Sequence, residues 1–246
     1  MENFVPKRSP VSIVLTCEHA GNQVPAPLRP LFMKAGDVLN SHRGWDPGAL
    51  PLARRFAAHC GVPLASTTVS RLVVEPNRSL GHKRLFSEFM ATLSPTARQE
   101  LIDQYWTPHR SAVEELIAKT IGSGRTVIHL SVHTFTQHFG DEVRKTDIGL
   151  LYDPRRKTER TLCSLWRDEL QQLQPAWLVR RNDPYKGSSD GFTTSLRKLF
   201  SADEYLGIEL EVCQKFFLDS GAEWKRILKE IPVSFTAAVE QFAAGR

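Results

Sequence analysis

Hydrophobic residues in this chain gather in short runs set between longer amphipathic stretches, the alternation expected when strands and helices follow one another. Three runs read as strands, over 11–16, 126–132 and 205–212. Each breaks into a polar loop, and at those breaks stand His19, His133 and Glu211. Weaker β patterns appear over 64–69, 71–75, 148–152 and 177–181. Helical spacing appears over 27–35, from Asp46-Pro47 to Cys60 with Gly61 as the stop, and from Ser94-Pro95 to Gly122 with Pro108 as a kink or break. Further helices are predicted over 158–173, 193–200 and 222–244, the last interrupted near Pro232.

Strands therefore alternate with helices along most of the chain, which predicts an α/β fold with a parallel or mixed sheet covered on both faces. No repeat, low-complexity tract or linker divides the 246 residues, so a single domain over 1–246 is expected. In such sheets ligands bind at the carboxyl ends of the strands. The loops over 133–147 and 183–191 are longer than connectors need to be, which makes them candidate walls of a site.

Composition narrows the function classes. Hydrophobic residues make up 41% and charged residues 24%, values of an ordinary soluble protein, and no apolar stretch reaches the roughly 20 residues of a membrane helix. The segment Met1–Ser9 lacks the pattern of a secretory leader, and Cys17, Cys60, Cys163 and Cys213 form no C-x-x-C pair; both point to a cytoplasmic protein with reduced thiols. The net charge of +5 is spread over short clusters such as Arg54-Arg55 and Arg155-Arg156-Lys157, a solvated surface and not a nucleic-acid groove. Neither G-x-G-x-x-G nor a P-loop is present, so nucleotide dependence is not indicated.

The chemistry centres on the strand endings. A hydrolytic metal site uses three protein ligands, an open position for water and a nearby carboxylate. His19 and His133 offer two nitrogens. Glu18 adjoins His19 but is expected to project to the opposite side, which leaves Asp46 as the better carboxylate; it reads equally as the cap of the helix that begins at Pro47. Glu209, Glu211 and Cys213 share one face of their strand, and a carboxylate within an apolar strand is costly unless paired or functional. Glu211 reads as a general base and Glu209 as a partner for a buried arginine. Arg71 and Asn77-Arg78 suit a substrate carboxylate or an oxyanion, with ion pairs to Glu75 or Asp46 as the structural alternative. His109 and Tyr105, four apart, read as one packed helix face.

In order along the chain, Cys17-Glu-His-Ala-Gly-Asn22 with Pro25, Trp45-Asp46-Pro-Gly48, Ser70-Arg71 through Asn77-Arg78, Ser131-Val-His133-Thr-Phe135 and Glu209-Leu-Glu211 resemble the N-formylglutamate amidohydrolase family. The resemblance implies a three-layer α/β sandwich around a mostly parallel mixed sheet, like that of zinc carboxypeptidases and phosphorylase/hydrolase-type enzymes. It implies metal-dependent hydrolysis of an N-formyl or N-acyl amino acid carrying a carboxylate, with Zn2+ or another divalent metal. It assigns His19, Asp46 and His133 to the metal, Glu211 and Arg71 to catalysis, and Asn77 and Arg78 to the substrate. Two positions depart from the pattern: Asn22 replaces the acid of a carboxypeptidase H-x-x-E, and Glu75-Pro76 precedes Asn77-Arg78.

Two other readings compete. One is a metal-free thiol amidase with Cys17 or Cys213 as nucleophile and His19 or His133 as base. The other is a regulatory module that binds metal or anion without turnover.

Overall fold

Residues 10–246 are described by a computed structural model, and the segment read above for a leader, Met1–Ser9, lies outside them. In chain order the strands are β1 (Val11–Cys17), β2 (Leu64–Ser66), β3 (Thr126–Phe135), β4 (His138–Phe139), β5 (Glu142–Val143), β6 (Ile148–Leu151), β7 (Val179–Arg181) and β8 (Tyr205–Cys213). The helices are α1 (Gly36–Asn40), α2 (Ala49–Cys60), α3 (Pro95–Leu101), α4 (Thr107–Gly122), α5 (Lys157–Leu173), α6 (Phe192–Leu199), α7 (Lys215–Leu218) and α8 (Ala222–Ala244). A 3-10 turn at Ala26–Phe32 replaces the first predicted helix.

Six strands form one sheet in the order β2-β1-β3-β8-β6-β7, and β4 with β5 makes a separate hairpin. All pairings in the large sheet are parallel except β6 with β8. The expected α/β class and mixed sheet are therefore found. No helix among the described residues is long and apolar enough to cross a membrane.

Alternation along the strands divides the sheet into two unlike faces. Leu15 and Cys17 of β1, Ile128, Leu130 and Val132 of β3, and Leu206, Ile208, Leu210 and Val212 of β8 point to one side. There they meet Phe56 of α2, Trp166 of α5 and Phe235 of α8 in the main core. The other face is apolar only at the strand beginnings, where Val14, Val127 and Tyr205 pack under Val113 and Ile117 of α4 and Phe192 and Leu196 of α6. Farther along the same face the residues turn polar: Thr16, His129, Ser131, His133, Glu209 and Glu211. The chain thus reserves one end of one face for chemistry.

Several local expectations are corrected. Residues 71–75 form a turn and not a strand: Val73 N–H closes on Ser70 C=O at 2.9 Å, and Leu72 and Val73 join a smaller core with Leu28, Phe32 and Met90. Their apolar side chains serve burial without a neighbouring strand to pair with. Asp46 does not cap a helix, because α2 begins at Ala49 after Gly48, whose φ of 91° requires glycine. Pro108 breaks nothing, since a π-turn at Ile102–Trp106 sits immediately before it and α4 continues from Thr107. Pro232 lies inside an unbroken α8, where the buried stripe Ile227, Ile231, Phe235, Ala238 and Phe242 outweighs the missing backbone donor.

His129, fully buried in β3, bonds Thr16 Oγ1 and Tyr205 Oη at 2.8 Å each and so joins three strands. Burial pushes its pKa down to about 4. Between about pH 6.5 and 4 the unfolded chain takes up a proton that the folded chain refuses, so stability is full above that window and declines as pH falls through it. Wild type should lose about 2–3 kcal/mol more than His129→Gln between about pH 7.5 and 4.5 in urea unfolding. Equal losses would show that His129 is not the acid-sensitive element.

Candidate metal centre

Three ligand atoms from three distant segments meet where the polar face of the sheet ends. His133 Nδ1 lies 3.1 Å from His19 Nδ1 and 2.8 Å from Asp46 Oδ2, and His19 Nδ1 lies 3.1 Å from the same oxygen. All three residues are buried. His133 is delivered by alternation on β3, whereas His19 comes from the turn after β1 and Asp46 from the loop before α2. The main chain ties the last two together, Asp46 N–H donating to His19 C=O at 3.1 Å.

The rings are held from behind. His19 Nε2 donates to Glu75 Oε1 at 2.5 Å, and His133 Nε2 donates to Ser131 Oγ at 2.7 Å and lies 3.0 Å from Glu18 Oε2. Ser131 Oγ in turn donates to Glu18 Oε2 at 2.5 Å. With each Nε2 proton directed at an acceptor, Nδ1 of each ring is the nitrogen that faces the common point and that offers a lone pair there when the ring is neutral. Donors about 2 Å from one cation lie about 3 Å from each other, which is the spacing of these three atoms. The donor set of two imidazoles and a carboxylate therefore fits a divalent cation such as zinc.

Electrostatics point the same way. Burial alone would raise Asp46, Glu75 and Glu18, but His19 and His133 for Asp46, Arg71 and His19 for Glu75, and His109 and His133 for Glu18 outweigh it and hold all three well below the usual carboxylate range. Burial likewise opposes charge on His133, yet the bonds to Asp46 and Glu18 carry its pKa well above that of a free imidazole. The cluster is thus built to hold positive charge at its centre.

Every residue predicted for the site is found around it. A cavity of about 570 Å³ opens over His19, Asp46 and His133 and is bordered by Arg71, Asn77, Arg78 and Glu211. Arg71 Nε donates to Glu75 Oε2 at 2.7 Å, and its Nη1 makes one long contact of 3.4 Å to Asp46 Oδ1. The ion-pair reading of Arg71 therefore holds, and the guanidinium still faces the cavity. Asn77 Oδ1 accepts from Phe192 N–H at 2.6 Å, which turns its amide nitrogen the other way. Glu211 is buried, its Oε2 has no hydrogen-bond partner among the described residues, and burial, reinforced by Asp46 and Glu209, pushes its carboxyl up. The long loops supply walls as expected, through Thr136 and Phe139 from one and Tyr185 and Asp190 from the other.

Sequence reasoning misplaced or missed four partners. Glu18 does not project away: β1 alternation carries it to the polar face behind His133, and the following turn swings His19 across. Glu75 was legible only as an ion-pair partner of Arg71, since nothing local shows that a turn places it behind His19. Glu209 accepts from Thr193 Oγ1 at 2.6 Å and not from the buried arginine expected for it, and the buried Arg197 pairs with Glu159 instead. His109 packs against Phe192 and stands 3.7 Å from Glu18, whereas Tyr105 joins the smaller core, because the π-turn shifts the face between them.

The family model for N-formylglutamate amidohydrolase matches residues 11–218. Among solved structures, the gene product Atu2144 from Agrobacterium tumefaciens is 27% identical with a TM-score of 0.80, covering 93% of this chain and 90% of that one. An N-formylglutamate amidohydrolase from Ralstonia eutropha JMP134 is 18% identical with a TM-score of 0.73, covering 98% and 97%, and so shares the fold. No curated protein matches the sequence significantly.

If Glu18 and Glu75 orient the ligand rings, Glu18→Gln and Glu75→Gln should each weaken zinc binding by about 10–100-fold, read by chelator competition, with thermal unfolding of the metal-free protein little changed. Unaltered affinity in both would show that the rings need no such support.

Proposed function

Because the chain belongs to the N-formylglutamate amidohydrolase family, we propose that it hydrolyses the amide of an N-formyl or N-acyl amino acid at the His19, Asp46 and His133 centre, with zinc or another divalent cation as cofactor. The observation that carries this reading is the unpartnered Glu211 Oε2, buried at the edge of the cavity beside three converging ligand atoms. A cation held there supplies Lewis acidity to a water and to the scissile carbonyl.

The remaining work falls to side chains. Asn77, through its amide nitrogen, and Arg78, whose guanidinium donates among the described residues only to main-chain carbonyl oxygens, hold the substrate carboxylate. Glu211 takes the proton of the attacking water and returns it to the departing amine nitrogen. A desolvated carboxyl of raised pKa is suited to both directions of that transfer. Arg71 donates to the oxygen of the carbonyl as it gains negative charge, its own position fixed by Glu75.

The thiol alternative loses its support. Cys17 packs on the apolar face of the sheet, neither Cys17 nor Cys213 borders the cavity, and burial pushes both thiols up, away from the reactive thiolate.

Purified protein should contain one divalent metal per chain and hydrolyse some member of an N-formyl and N-acyl amino acid series, with activity lost to chelator and restored by metal. Absence of turnover across the series with metal bound would overturn the assignment in favour of the binding module. Glu211→Gln should lower kcat by about 10²–10⁴-fold with metal content unchanged. Arg78→Ala should raise KM by about tenfold while kcat changes less, a pattern that binds its role to the substrate carboxylate.

A further inference from the structure

One end of the cavity is built of rings. Phe135, Phe139, Tyr185 and His42 all border it, and the Arg144 guanidinium gathers three of them, its carbon lying 4.5 Å from the ring centre of Phe139, 4.8 Å from that of Tyr185 and 5.8 Å from that of Phe135. The His42 ring meets Phe139 edge-on, with centroids 6.5 Å apart. Arg144 is buried and does not itself border the cavity, so the surface a ligand meets there is aromatic and not cationic. Two of the rings are open, Phe139 being 52% exposed and Tyr185 41%. Aromatic rings open to water inside a concavity favour any ligand group that covers their apolar area.

This wall is fixed by its own contacts. The buried charge of Arg144 rests on the ring faces, and its Nη1 donates to Tyr185 Oη at 2.8 Å. Its main-chain N–H donates to Gln137 C=O at 2.9 Å and closes the β4–β5 hairpin that carries Phe139. Asn182 Oδ1 accepts from the main-chain N–H groups of Tyr152 and Gly187, each at 3.0 Å, which pins the loop bearing Tyr185.

Position along the strands decides which part of a substrate meets the rings. On the polar face Ser131, His133 and Phe135 follow at two-residue steps on β3, opposite Glu209, Glu211 and Cys213 of β8, each step about 6.6 Å. Asn77 stands at the first level, since a Cβ on Gly191 would lie 3.2 Å from Asn77 Oδ1 and 3.3 Å from Glu209 Oε1. His133 and Glu211 form the second level and Phe135 the third. A substrate with its carboxylate at Asn77 and its amide at His133 and Glu211 therefore turns its acyl group toward Phe135, Phe139 and Tyr185. A formyl group ends at the second level, whereas a phenyl ring on a one-carbon arm spans the next step. From this we propose that Phe135, Phe139 and Tyr185 form an acyl subsite for an apolar, ring-bearing group, and that arylacyl amino acids are preferred over formyl ones. The inference rests on the amidohydrolase reading for the direction in which the ligand lies.

Binding without turnover is read by calorimetry on zinc-loaded Glu211→Gln protein, titrated with the N-formyl, N-acetyl, N-succinyl and N-phenylacetyl derivatives of glutamate and, in parallel, of leucine. In the series that binds more tightly, the phenylacetyl derivative should exceed the acetyl one by about tenfold or more, and the succinyl one should not match it. Adding Phe139→Ala, a change at an exposed position that folding tolerates, should cut the ratio of phenylacetyl to acetyl affinity by about fivefold or more, and Phe139→Tyr should keep it. A merely structural role for Phe139 lowers all derivatives by one factor and leaves that ratio unmoved. The proposal is overturned if the phenylacetyl gain falls short of these values, if the succinyl derivative binds as tightly, or if the ratio survives Phe139→Ala. Turnover of the same derivatives by the wild type is assayed separately. No hydrolysis with the ring preference intact removes the amidohydrolase reading and leaves the subsite, and hydrolysis without the preference removes the subsite alone.

Discussion

The bonds from His19 Nε2 to Glu75 and from His133 Nε2 to Ser131 and Glu18 decide what the rest of the centre can be. An imidazole carries one proton when neutral, and whichever nitrogen it occupies cannot bind a metal. By placing acceptors behind the rings, the protein holds one proton at the back of each, so that a neutral ring turns its lone pair to the front. Reversed, the same two rings would present N–H groups to each other across 3.1 Å and exclude a cation. Burial makes this arrangement strong, since carboxylates out of water keep their charge only while these partners remain.

The sheet supplies the frame for that wiring. Alternation on β3 puts His129, Ser131 and His133 on one face, so a structural bond, a supporting hydroxyl and a candidate ligand share one strand at successive two-residue steps. Its neighbour β8 aligns Glu211 opposite His133 and Glu209 opposite Ser131 in parallel register. The opposite face spends the intervening positions on the main core, which anchors both strands under α2, α5 and α8. Precision at the site therefore comes from rigid elements, with loops contributing only His19, Asp46 and the walls.

How much of this was legible in the sequence follows from the range over which each signal acts. Period-two patterning exposes β1, β3 and β8 and so locates His133 and Glu211, because the cause is local. His19, Asp46, Arg71, Asn77 and Arg78 stood out as residue types at strand ends and helix starts, and the ordered motifs tied them together. Glu18 and Glu75 were not legible as ring supports, since their partners lie 115 and 56 positions away and are brought near by the β3 insertion and by the 70–75 turn. The turn itself was misread as a strand because Leu72, Val73 and Val74 are as apolar as a strand would be. Prolines misled for a related reason: at Pro108 a π-turn, and at Pro232 tertiary burial, absorb what the local rule treats as a stop.

Interlocking divides the cavity lining into two populations with different evolutionary freedom. Asn77 answers to Phe192 and Glu75, Asp190 to Ser79 and Arg78, and a side chain added at Gly191 would come within 3.2 Å of Asn77 Oδ1 and 3.3 Å of Glu209 Oε1. A change at any of these disturbs two neighbours at once, so drift there is penalised whatever the substrate. The side chains of Lys83, Arg84 and Lys186 make no hydrogen bond or ion pair among the described residues, and mutation can revise them singly at little cost to folding. Descendants of this chain would accordingly diversify what they accept by editing the entrance, while the chemistry inside stays frozen.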